Sequence, residues 1–135
     1  MVPQAKTRMQ PRLSGGNLTV DIWQAPLGAW FERWSPWVER QGVAPDVARY
    51  TGSFEVESTG LVCAVTWTFC DERLTSISVR PSEGRVAIDL LLVRLGVDLS
   101  MLVPAGDGLF SIEAGGTHFD VDRLDGVVSL REVCT

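Results

Sequence analysis

The run Leu61-Val62-Cys63-Ala64-Val65-Thr66-Trp67-Thr68-Phe69 decides the fold class. Side chains alternate across a strand, so Leu61, Cys63, Val65, Trp67 and Phe69 share one face, and Val62, Ala64, Thr66 and Thr68 the other. Apolar content on both faces predicts a central strand. Upstream, Ser53-Phe54-Glu55-Val56-Glu57 alternates too, with Phe54 and Val56 inward and Glu55 and Glu57 outward. Ser58-Thr59-Gly60 is the turn between them. Downstream, Asp71-Glu72-Arg73 turns the chain into Leu74 to Val79, where Thr75, Ile77 and Val79 share a face. Three such runs on short turns predict an antiparallel meander.

Working outward, four of the five tryptophans fall between Trp23 and Val38. Pro26 suits the first turn of a helix, where a missing N–H costs nothing. Leu27, Phe31, Trp34 and Val38 follow helical spacing and predict one buried face, with Trp30 and Trp37 at its edge. Pro36 disfavours helix at Ser35, so a kink or a second short helix running to Gly42 is expected. Residues 43–49 read as a connection, with room for one helical turn. Before this stretch, Asn17 to Trp23 alternates as a short strand, and residues 1–16 read as a flexible basic arm.

Beyond the meander, Ser82 is the expected cap of a helix over Val86 to Leu95, closed by Gly96, with Arg85 and Asp89 paired on its wet side. A buried strand over Val86–Val93 is the alternative. Residues 97–108 read as a loop. Leu109–Glu113, Thr117–Asp122 and Val127–Val133 read as three more strands. The predicted fold is α+β: one domain over residues 17–135, a mainly antiparallel sheet of six or seven strands, and two helices.

Charge narrows the function classes. Residues 1–16 carry Lys6, Arg8 and Arg12 and no acid, while the rest sets nine arginines against seventeen acids, a balance of −8. Such a body repels phosphate, so no nucleic-acid partner is expected for the folded domain. No apolar run approaches the roughly 20 residues of a membrane span, so no membrane partner is expected. Cys63, Cys70 and Cys134 are odd in number and include no Cys-x-x-Cys; they predict reduced thiols and a cytoplasmic protein.

Few groups invite chemistry. His118 is the sole histidine and shares a strand face with Asp120 and Asp122, a weak metal or acid–base candidate. Asp120, Asp122, Asp125-Gly126 and Glu132 run in the order of a calcium loop, but one residue too many separates the second and third aspartates. A hairpin turn is the better reading. There is no Gly-x-Ser-x-Gly and no nucleotide-binding glycine loop. No cofactor is expected, and catalysis is less favoured than binding. The residues expected to meet a partner are Trp30 and Trp37, then Trp23, with Glu55 and Glu57 as outward acids.

In size, acidity and α+β order the chain is similar to two groups of small bacterial proteins. One is immunity proteins, which neutralise a cognate toxin; the other is type III secretion chaperones, which bind unfolded effector segments. The chaperone order of helix, three strands and helix resembles the middle of this chain. Those chaperones usually close with a helix, whereas this chain is read to end in a strand. The leading expectation is therefore a non-catalytic protein-binding module of the immunity type, with a basic toxin or secreted effector as partner. Two others stand beside it: a small enzyme or ligand-binding domain using His118, and a homodimer formed through an exposed strand or the tryptophan helix.

Overall fold

Leu61–Cys70 (β4) forms the interior strand that its alternation predicts, burying Leu61, Cys63, Val65, Trp67 and Phe69 on one face. The computed structural model describes residues 12–13, 23, 25–41, 45–56 and 60–133. The other strands are β1 (Arg12–Leu13), β2 (Glu39–Gln41), β3 (Val47–Val56), β5 (Arg73–Pro81), β6 (Val103–Gly106), β7 (Leu109–Ala114), β8 (Thr117–Asp122) and β9 (Val127–Glu132). Two α-helices, α1 (Leu27–Trp34) and α2 (Ile88–Arg94), and three short 3-10 turns complete the described chain.

All nine strands join one sheet in the order β1-β3-β4-β5-β9-β8-β7-β6, with β2 also paired to β3. The fold is thus α+β, mostly sheet with two helices. The expected count of six or seven antiparallel strands is corrected: nine strands are described, and β1 runs parallel to β3. The unforeseen strands have no pattern of their own. Arg12–Leu13 is too short to alternate, Glu39-Arg40-Gln41 has no apolar residue, and Val103-Pro104-Ala105-Gly106 carries proline and glycine. They form because the edge of a longer strand offers unpaired N–H and C=O groups.

Other boundaries move for related reasons. β3 begins at Val47, inside the expected connection, because its whole length pairs with β4 from Val47↔Cys70 to Val56↔Leu61. A bulge between Thr68 and Phe69 pairs Phe69 with Leu74 and Thr68 with Ser76. Leu74 therefore turns inward with Ile77 and Val79, and Thr75 instead donates its hydroxyl to the Thr68 carbonyl at 3.1 Å. The predicted second helix begins with a 3-10 turn at Gly84–Ala87, and Ala87 rather than Ser82 stands at the N-cap of α2. Gly96 follows at φ +88, a left-handed conformation that glycine adopts readily. Asp89 pairs with Arg123 at 2.7 Å; the side chain of Arg85 lies outside the described residues.

Within the segment expected as an arm, Leu13 is fully buried and Arg12 reaches Glu55 at 3.5 Å. The strand expected over residues 17–23 lies outside the described residues except for Trp23, as do Glu57 and Cys134.

The two faces of the sheet differ. Inward residues of β3, β4, β5, β8 and β9 form one apolar cluster with Trp30 of α1 and with Ile88, Leu91 and Leu92 of α2. The opposite face carries a row of small polar side chains in register across six strands: Thr51, Thr66, Ser78, Ser129, Asp120 and Ser111. Both helices contribute to the core face, and the functional side chains are sorted by that asymmetry.

Candidate functional site

The tryptophan-rich stretch is wedge and surface at once. Helix α1 follows Pro26, whose extended backbone (φ −66, ψ 138) starts the first turn. Trp30 enters the core, its ring centroid 5.2 Å from Tyr50, 5.2 Å from Trp67 and 5.0 Å from Phe69. Trp34 is half-buried and packs on Phe54 and Trp67. The expected roles of Trp30 and Phe31 are therefore exchanged: Trp30 is 8% exposed and Phe31 is 42% exposed. The spacing of Leu27, Phe31, Trp34 and Val38 pointed to Phe31, but Trp30, three residues after Leu27 and four before Trp34, fits a helical face as well. The rotation seen here puts the larger ring among three inward aromatics.

The helix stops at Trp34. A single 3-10 turn, Ser35–Trp37, carries Pro36, and the chain then enters β2; the expected helix to Gly42 does not form. Trp37 leaves the core with 42% of its surface exposed, as its edge position suggested. Its ring meets Trp34 edge-on at 6.1 Å. Trp37 and Phe31 are thus exposed aromatics fastened to a buried aromatic network. Trp23 acts differently. Its indole N–H donates to the Thr117 hydroxyl at 3.0 Å, tying the segment before α1 to β8. Glu55 is bound by Arg12.

Beside α1 lies a groove of about 560 Å³, lined by Leu27, Arg40, Pro45, Asp46, Ala48, Tyr50, Asp71 and Glu72. Phe31 reaches its wall, 5.4 Å from the Tyr50 ring. Asp71 and Glu72 form the two-residue loop of the β4–β5 hairpin, with φ of +50 and +65. Such loops favour glycine or asparagine at these angles. Backbone contacts hold this loop in place: Asp71 N–H donates to the Asp46 carbonyl at 2.9 Å, and Leu27 N–H to the Glu72 carbonyl at 2.8 Å. Three carboxylates and one guanidinium line the groove, and none of the four forms an ion pair among the described residues. The sequence signal was present as a turn without glycine, but only the tertiary fold brings Asp46 beside it.

His118 lies on the opposite face of the sheet. Its Nε2 is 3.0 Å from Asp120 Oδ1 and its Nδ1 is 3.4 Å from Glu113 Oε2, on the paired strand β7. Asp120 also lies 3.9 Å from Arg131. These contacts are to carboxylates, not to a hydroxyl or thiol that a histidine base would activate. Asp122 accepts from the N–H groups of Leu124 and Asp125, at 3.1 and 2.9 Å, and so builds the β8–β9 turn. Asp125 is paired with Arg80 at 3.2 Å. Among the described residues no three His, Cys, Asp or Glu side chains converge in a way that could hold a metal ion. Cys63 is buried, Cys70 is half-buried, and both are free thiols. Burial first, and Glu83 second, push the Cys63 thiol up to about 11.

No helix among the described residues is long and apolar enough to cross a membrane. No known protein family, curated protein or solved structure matches the chain.

Proposed function

We propose that the chain is a non-catalytic protein-binding module: an acidic inhibitor of the immunity type that caps a basic toxin or secreted effector. The observation that carries this reading is the exposure of Trp37 and Phe31 on a rigid support. Aromatic rings held by a buried network lose little conformational freedom on binding, and tryptophan is enriched among residues that dominate interface energy. The acidic groove reached by Phe31 supports a basic partner, because complementary charge speeds encounter. The free thiols Cys63 and Cys70 support action in the cytoplasm.

The experiment is quantitative capture from the native host. Immobilised wild-type chain is compared with the Trp37→Ala variant. The reading expects one protein retained by the wild type and lost with the variant. Equal retention by both would sink it.

A further inference from the structure

We infer that the groove between α1, β3 and the β4–β5 loop receives an arginine side chain from the partner protein. Its aliphatic stem lies along Leu27, Ala48 and Tyr50, and its guanidinium lies between Asp46, Asp71 and Glu72. This rests on the protein-binding reading above and adds the chemistry of the occupant.

Charge complementarity carries the inference. Four arginines outside the groove sit on the fold's own carboxylates: Arg12 on Glu55, Arg80 on Asp125, Arg123 on Asp89 and Arg131 on Asp120. The groove's lining includes three acidic residues and one arginine, Arg40, and none of these four is in an ion pair among the described residues. Main-chain bonds at Asp71 and Glu72 hold the loop backbone that carries two of the three acids. The walls are partly apolar, through Leu27, Pro45, Ala48 and Tyr50, which suits a long side chain with a charged tip. The exposed ring of Phe31 packs on Tyr50, one of the lining residues, and a planar guanidinium stacks on such a ring better than an ammonium does.

The test uses the full chain and a defined probe, N-acetyl tetra-arginine amide, followed by amide chemical shifts. The tetra-citrulline peptide, of the same shape but uncharged, is the control. The inference expects saturable shifts at Leu27, Ala48, Tyr50, Asp71 and Glu72, absent with citrulline. It also expects at least a tenfold loss of affinity in the Asp71→Asn/Glu72→Gln double variant. The Asp46→Asn variant, outside the hairpin loop, provides an independent second loss. Shifts centred elsewhere on the surface, an equal response to citrulline, or undiminished binding by both variants would overturn it. If tetra-arginine fails here while the partner is still lost with Trp37→Ala, this occupant is wrong and the protein-binding reading stands. If tetra-arginine binds here and Trp37→Ala retains the partner, the inference stands and that reading fails.

Discussion

Gly52 of β3 lies directly under the carbonyl of Trp37, so close that a Cβ on Gly52 would collide with that oxygen and with the Phe54 ring. The backbone of the 3-10 turn can approach β3 only because this position has no side chain. Gly52→Ala is therefore expected to cost about 1–3 kcal/mol, the range for overpacking a filled site. A denaturant midpoint equal to that of the wild type would contradict the close approach. The same variant should also displace Trp37 and alter the quenching of its fluorescence.

The four tryptophans between residues 23 and 38 divide sharply in cost. Trp30→Ala should lose about 3–5 kcal/mol, as for large aromatics removed from a core. Its indole N–H has no hydrogen-bond partner among the described residues, so Trp30→Phe should cost much less. Trp37→Ala should stay within about 1 kcal/mol of the wild type, because nearly half of the residue is already exposed. Urea titrations of the three variants provide the comparison. Equal losses at Trp30 and Trp37 would refute the division.

Cys63 gives the fold an alkaline limit. Its thiol is held protonated up to about 11, against an ordinary value of 9.0. Between these values the unfolded chain releases the proton and the folded chain keeps it, so stability falls as pH rises through the interval. Below pH 9 the group makes no difference. The full effect is about 2–3 kcal/mol, at about 1.4 kcal/mol per pH unit. Stability of the wild type measured at pH 8, 9.5 and 11 should decline more steeply than that of Cys63→Val. Parallel curves would show that the thiol is not responsible.

The hairpin loop trades stability for charge. Glu72 sits at φ +65, where a residue with a Cβ is strained and glycine is not. Glu72→Gly should raise stability by about 1 kcal/mol while weakening the tetra-arginine peptide. A stabilised variant with unchanged peptide affinity would remove Glu72 from the groove's work. A destabilised one would show that the loop carries no strain.

The long alternating strands were legible in sequence because each carries its own period. β4 keeps its expected face throughout, and β8 its expected bounds. Helix α1 was legible as a helix, but its predicted rotation was wrong: the pattern put Phe31 inward, although Trp30 also fits the spacing set by Leu27 and Trp34. The packing of Tyr50, Trp67 and Phe69 decided it, and those residues are distant in sequence. β1, β2 and β6 were illegible because their pairing belongs to the neighbour's edge. The groove was half legible: Asp71 and Glu72 stood out as a turn, while Asp46 and Arg40 reach it only through β2 and β3. The Thr68/Phe69 bulge reversed the expected orientation of Thr75, a shift that no periodic pattern records.

The proposed partner is expected to meet Trp37 and Phe31, the exposed aromatics of the tryptophan-rich segment. The most direct measurement is site-specific photocross-linking in the native host, with p-benzoylphenylalanine placed in turn at Trp37, Phe31 and Ala64. Ala64 is exposed on the opposite face of β4 and serves as the control. One common adduct is expected at positions 37 and 31, and none at 64. No adduct at 37, or the same adduct at all three positions, would contradict it.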